Sequence, residues 1–197
     1  MTEDFRHRTP KRRENPEAKN HYSDYKPELR EDFNERCGYC GDHDFFRQSY
    51  YEIDHFVPRK KLKVIALNDY SNLVYACRSC NNAKRAKWPT GDEKVHNDGK
   101  VGFIDPCDAI YATQFHRGKD GSIIACTELG HWMWRALNFG NPAHRVIWNL
   151  EEIRKCIRQM EESCSEGAVD GQIAADIIRF TKQYLAFEES LRGVPHF

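Results

Sequence analysis

Two Cys-x-x-Cys pairs, Cys37-Gly38-Tyr39-Cys40 and Cys77-Arg78-Ser79-Cys80, constrain this chain more than any other feature. A two-residue spacer lets both sulfurs of a pair face one point, so four thiolates can surround a single Zn2+ tetrahedrally at about 2.3 Å. Thirty-six residues lie between Cys40 and Cys77, more than a simple zinc ribbon holds, so a substructure is expected between the knuckles. Four thiolates saturate the ion and leave no position for water, which makes the expected zinc structural rather than catalytic. Gly38 and Gly41 are expected to supply the permissive backbone of the first knuckle. The other four cysteines, Cys107, Cys126, Cys156 and Cys164, stand singly and are expected as small core residues.

At 197 residues and 40% hydrophobic, the chain is long enough to bury a core without disulfides. It has no run of about 18 apolar residues, and its first thirty residues are charged from the start. The expectation is a protein that neither spans a membrane nor carries a secretory signal and that sits in a reducing, cytoplasmic compartment. Thirty Lys plus Arg balance thirty Asp plus Glu, which alone argues against a polyanionic partner. The distribution argues for one. Residues 54–88 hold 8 basic and 2 acidic side chains, net +6, against net −2 for residues 1–53 and net −4 for residues 89–197. A phosphate backbone responds to local potential within a Debye length of about 8 to 10 Å, so nucleic acid is an expected partner.

Three segments are expected. Residues 1–26 lack apolar periodicity and read as a flexible basic tail; residues 27–95 hold the knuckles; residues 96–197 read as a mainly helical extension. Pro27 followed by Leu29 and Phe33 predicts a short helix ending near Cys37. Tyr50 to Val57 and Leu73 to Ala76 predict strands, and Asn81 to Lys87 an exposed helix. Further on, Gly121 to Ala125 predicts a hairpin strand. Two helical core seams follow: Ile147, Leu150, Ile153, Ile157 and Met160, then Ile173, Ile177, Phe180, Tyr184, Phe187 and Leu191.

Between and just after the knuckles, Glu52-Ile53-Asp54-His55, Ser71-Asn72-Leu73-Val74 and Cys80-Asn81-Asn82-Ala83-Lys84 gather polar groups. Asp54 and Asn81 offer hard oxygen ligands suited to Mg2+, and His55, with an ordinary pKa of about 6.5, can take a proton from water at neutral pH. Asp54 and His55 leave opposite faces of a strand unless it ends there, and Pro58 predicts that it does.

Asp54-His55, Asn72-Leu73 and Cys80-Asn81-x-x-Lys84, framed by the two cysteine pairs, resemble the HNH endonuclease family over roughly residues 33–88. The resemblance implies an α+β fold: a small ββα-metal motif with a four-cysteine zinc knuckle pair, followed here by the mainly helical region. It implies His55 as general base, Asn72 as the residue that holds the loop and orients the base, and Asp54 and Asn81 as ligands of a catalytic Mg2+ or Mn2+. Asn81 stands where many members have histidine. The implied reaction is hydrolysis of DNA phosphodiester bonds to 5′-phosphate and 3′-hydroxyl ends. Arg59, Lys60, Lys61, Lys63, Arg78, Lys84, Arg85 and Lys87 are the expected contacts to the nucleic-acid backbone. One of His116, His131 and His144 is a further candidate to complete the metal shell.

The layout also resembles stand-alone bacterial HNH proteins of phage defence, which implies a partner ATPase or sensor subunit docking on the C-terminal helices. Two readings compete: a non-catalytic zinc module binding nucleic acid or protein, and a regulatory subunit working through its helical half. The intact Asp54, His55, Asn72 and Asn81 set favours the enzyme, because a binding module has no need of an ionisable base beside hard-ligand oxygens.

Overall fold

In the computed structural model, which describes residues 3–6, 8–164 and 171–193, the chain opens with a two-residue strand, β1 (Glu3–Asp4). Pro27 in the first turn, where its missing N–H costs nothing, starts helix α1 (Lys26–Asp32). Left-handed backbone at Asn34 (φ 55°) and Glu35 (φ 60°) stops it. Leu29 and Phe33, one turn apart, are both buried.

Strands β2 (Tyr51–His55) and β3 (Leu73–Cys77) pair antiparallel, with Tyr51 opposite Cys77 and His55 opposite Leu73. Every residue of β3 is buried, as its unbroken apolar run from Leu73 to Cys77 requires. Helix α2 (Arg78–Lys84) follows without a loop and ends where Arg85 turns left-handed (φ 48°). It therefore starts and ends three residues before the stretch expected from its charges. The knuckles thus enclose a hairpin and lead into a helix, the ββα arrangement expected of residues 27–95.

Strands β4 (Phe115–Arg117) and β5 (Ile123–Ala125) form a second hairpin, and β1 adds to it in the order β1-β4-β5. Helix α3 (Glu128–Ala136) is capped by Thr127, whose hydroxyl accepts from the Gly130 N–H at 2.8 Å. Helices α4 (Pro142–Cys164) and α5 (Gly171–Gly193) pack together, with Tyr184 and Phe187 of α5 against Ala143, Val146, Ile147 and Leu150 of α4. Both expected seams therefore lie on helices; the side chains of Leu191 and Cys164 fall outside the described residues. Among the described residues no helix is long and apolar enough to cross a membrane.

The described residues up to Lys26 are anchored, unlike the flexible basic tail expected of residues 1–26. Phe5 is buried, with its ring 5.0 Å from Phe115. Arg6 donates to the Pro106 and Gly38 carbonyls, Arg12 to the Leu73 carbonyl and the Asp105 carboxylate, and Arg13 to Asp32. Each guanidinium finds a part-buried acceptor, which periodicity could not reveal because the anchoring is polar. The apolar core runs from Phe5 to Phe139 across the expected boundary at 95/96, where Trp88 stacks on Phe103 with centroids 6.0 Å apart. Of the single cysteines, Cys107 and Cys156 are half-buried and Cys126 is exposed on the hairpin, its sulfur 3.1 Å from His116 Nδ1. None of these three is the buried core residue expected.

Candidate active site

Cys37, Cys40, Cys77 and Cys80 are all buried, and their sulfurs lie within 4.8 Å of one another. Tetrahedral thiolates at about 2.3 Å from an ion stand about 3.8 Å apart, and Cys40 Sγ is 3.8 Å from Cys77 Sγ. The four-cysteine cluster therefore fits a zinc ion. Gly41 takes the left-handed turn (φ 77°) that closes the first knuckle. Gly38 is needed for a different reason from the one expected: a Cβ there would stand 2.6 Å from the Phe33 ring and 2.8 Å from Val74. The second knuckle needs no loop, since Cys77 ends β3 and Cys80 lies in the first turn of α2.

Residues far along the chain clasp this cluster. Arg117, fully buried on β4, donates to the Cys40 carbonyl at 2.7 Å and to Asp42 Oδ1 at 3.1 Å. His144 Nδ1 lies 2.6 Å from Asp42 Oδ2, and Arg36 forms an ion pair with Glu151 of α4.

Helix α2 packs on one face of the β2–β3 hairpin. Glu52 and Asp54, two apart on β2, share that face, and Asn81 and Lys84, one turn apart on α2, meet them. Asn81 Nδ2 donates to Glu52 Oε2 at 2.8 Å, which turns its carbonyl oxygen away from Glu52, and Arg78 holds Glu52 Oε1 at 2.7 Å. Asp54 Oδ2 accepts from the Tyr39 hydroxyl at 2.6 Å and from the Lys84 ammonium at 2.8 Å. Its Oδ1 has no hydrogen-bond partner among the described residues. Burial pushes the Asp54 carboxyl above its ordinary range and the Lys84 amine below its own; their contact offsets part of that cost. Asp54 Oδ1 and Asn81 Oδ1 take no part in these contacts, and oxygens of both kinds suit a hard divalent cation.

Strand β2 ends at His55, as Pro58 predicts. His55 Nε2 is 2.9 Å from the Leu67 carbonyl. A carbonyl only accepts, so Nε2 carries the proton and Nδ1 keeps a lone pair. Burial lowers the His55 pKa, opposed by the Leu67 carbonyl and Asp54, and favours that neutral form. The Tyr22 ring covers the imidazole edge-on at 4.7 Å. Asn72 is buried and grips the next turn, accepting from the Val57 N–H at 2.8 Å and donating to the Val57 carbonyl at 3.1 Å. It touches the loop and not the imidazole. The loop's far side is tied by buried Glu93, which accepts from the backbone N–H groups of Lys63 and Val64 at 2.7 and 3.0 Å.

Residues 37–87 match the family model of the HNH endonuclease. The chain carries an HNH endonuclease domain. Comparison with curated proteins and with solved structures yields no match. The HNH domain, about a quarter of the chain, contains the four cysteines, Asp54, His55, Asn72 and Asn81.

Of the cations expected on the backbone of a nucleic acid, Arg59, Lys60, Lys63, Arg85 and Lys87 are exposed, and Lys61 and Arg78 are half-buried. Lys84 is a correction. It is fully buried, bound to Asp54 and to the His55 carbonyl at 2.8 Å, so no phosphate can reach it. None of His116, His131 and His144 joins Asp54 and Asn81: His116 faces Cys126, His131 bonds the Thr127 carbonyl, and His144 lies beside the zinc knuckle.

Sequence reasoning missed Tyr22, Tyr39, Leu67 and Glu93 in the surroundings of the HNH site. Glu52 carried a usable signal, because residues two apart on a strand share a face and it precedes Asp54 by two. Leu67 acts through its carbonyl, which no side-chain pattern reports.

Proposed function

We propose that this protein is a metal-dependent endonuclease that hydrolyses DNA phosphodiester bonds with His55 as general base. The observation that carries the proposal is the hold of the Leu67 carbonyl on His55 Nε2, which leaves Nδ1 as a lone pair at the end of the strand that also bears Asp54. His55 Nδ1 takes a proton from water as the oxygen adds to phosphorus; the bond to the 3′ oxygen breaks and that oxygen takes a proton from a solvent water, leaving 5′-phosphate and 3′-hydroxyl ends. Asp54 Oδ1 and Asn81 Oδ1 would hold Mg2+ or Mn2+. The bound ion supplies charge stabilisation on the phosphoryl and departing oxygens. Asn72 keeps the turn after His55 in place, and the four cysteines hold a structural zinc. Arg59, Lys60, Lys61, Lys63, Arg85 and Lys87 bind backbone phosphates, which gives affinity without base recognition.

The test is cleavage of supercoiled plasmid with Mg2+, Mn2+ or EDTA, beside His55→Ala. Metal-dependent nicking or linearisation that is lost in the variant is the expected result. Unchanged cutting by His55→Ala would remove the base, and DNA binding without cleavage by either protein would mark a zinc-stabilised binding module. The same proposal places the enzyme in cytoplasmic phage defence under a partner ATPase or sensor subunit. Phage plating on cells that express the protein with and without its neighbouring genes tests that setting.

A further inference from the structure

Val64-Ile65-Ala66-Leu67 is a run of four apolar residues in the loop between β2 and β3, and three of them are exposed. Val64 is 79% exposed, the most of any large apolar side chain among the described residues, and Leu67 is 41% exposed. Single exposed apolar residues are ordinary on a protein surface, but a consecutive run of them needs a role. A loose loop does not explain the exposure. Leu62 and Ile65 pack inward on the core, and buried Glu93 accepts from the N–H groups of Lys63, Val64 and Ile65 at 2.7, 3.0 and 3.5 Å. Beyond the run, Asn68 donates to the Asn20 carbonyl at 2.7 Å. The backbone is thus tied down while Val64, Ala66 and Leu67 stand in solvent.

The frame around this run is basic. Residues 59–67 hold Arg59, Lys60, Lys61 and Lys63 and no acid, and all of these cations but the half-buried Lys61 are exposed. An apolar tip between cations suits a nucleic acid or an anionic lipid surface. The place of the loop favours nucleic acid, because the Leu67 carbonyl is the group that holds His55 Nε2 at 2.9 Å. Val64 lies three residues from Leu67, a span of at most about 10 Å. Phosphates follow one another every 3.4 Å or so along a strand of duplex DNA, so Val64 stands within a few steps of a bond that faces His55. Proteins that bend DNA insert apolar side chains between base steps while neighbouring cations hold the phosphates.

We propose that Val64 and Leu67 form an apolar wedge that enters the minor groove of a DNA duplex and loosens a base step near the bond opposite His55. Lys60 and Lys63 hold the flanking phosphates. The proposal rests on the nuclease reading for the identity of the bond, and it adds the class of substrate: a duplex that bends beside the cut.

The test uses zinc-loaded protein with no Mg2+ added and a short DNA duplex that carries 2-aminopurine, a base that brightens when it is unstacked. Saturation by the parent protein, followed by fluorescence anisotropy, should raise the 2-aminopurine signal, and Val64→Ser, a change at an exposed site, should remove most of that rise. A duplex with one mismatch should bind the parent about tenfold more tightly than the matched duplex, because a mispaired base unstacks most easily; Val64→Ser should reduce the preference to about twofold. Saturation with a silent 2-aminopurine signal overturns the proposal, as does a mismatch preference unchanged in Val64→Ser or failure of the duplex to bind. Binding to vesicles of anionic lipid that Val64→Ser abolishes, with the 2-aminopurine silent, overturns it in favour of a lipid surface. Plasmid cleavage with Mg2+ separates the two readings. Cut plasmid with a silent 2-aminopurine leaves the nuclease without the wedge, whereas a Val64-dependent rise with uncut plasmid leaves the wedge without the nuclease.

Discussion

Replacing Lys84 with methionine separates a buried structural cation from a phosphate contact. Methionine keeps the length and apolar stem, so the core around α2 stays filled, while the ammonium that meets Asp54 Oδ2 and the His55 carbonyl, each at 2.8 Å, is lost. Asp54, 8% exposed, is then a buried carboxylate with only the Tyr39 hydroxyl on Oδ2. The cost has a ceiling, because the folded variant can protonate Asp54. Moving a carboxyl from its ordinary 3.8 to pH 7 costs about 4 kcal/mol at about 1.36 kcal/mol per pH unit. Removing one partner of a buried pair costs about 3–5 kcal/mol, so a loss of about 3–4 kcal/mol is expected. In a chain of this size that lowers Tm by about 6–15 °C.

The assay is urea and thermal unfolding of the zinc-loaded protein at pH 7. Adding Asp54→Asn to Lys84→Met removes the stranded charge, and the double variant should regain about 2 kcal/mol over Lys84→Met alone. A Lys84→Met protein within about 0.5 kcal/mol of the parent that had lost DNA affinity would refute the reasoning and return Lys84 to the phosphate contacts.

Burial raises the Asp44 carboxyl, but hydrogen bonds from His43, Arg30 and Tyr75 outweigh it and hold the group at about 2, below its ordinary 3.8. This stabilisation is complete above about pH 4 and disappears as pH falls through 2. Asp44→Asn should thus be less stable by about 2 kcal/mol at pH 7, with the gap to the parent closing by pH 2 in urea titrations across that range. Glu93→Ala should remove hydrogen-exchange protection at the Lys63 and Val64 amides, which donate to that carboxylate, and leave β3 protected. Cys77→Ser should bind zinc weakly and unfold the HNH domain, measured by metal content and circular dichroism, because binding of a structural zinc is coupled to folding. A fully folded, zinc-free variant would contradict that role.

The cysteine pairs and the hairpin-to-helix step were legible because they depend on local signals: a two-residue spacer, an apolar run closed by Pro58, a helix that starts at a ligand. Lys84 was misread because one charge pattern serves both an exposed basic helix and a buried pair. Its partner Asp54 lies 30 residues earlier, and only the packing of α2 on β2 brings them together. The anchoring of the described residues up to Lys26 is illegible for a related reason. They are anchored by Arg6, Arg12 and Arg13 on acceptors as distant as Asp105 and Pro106, and an arginine looks the same in sequence whether it is solvated or folded in. The hold on His55 was invisible because it is a main-chain carbonyl placed by a loop.

Arg117 reaches back to the Cys40 carbonyl and Asp42 from a strand 77 residues further on. Residues 37–87 alone do not contain these closing contacts. Excised at those limits, the segment would lose Arg36 with its partner Glu151 and would leave Asp42 without Arg117 and His144, beside the cysteine cluster. The contacts that close the segment around the four cysteines extend from Phe5, whose ring lies in the shared core, to Glu151.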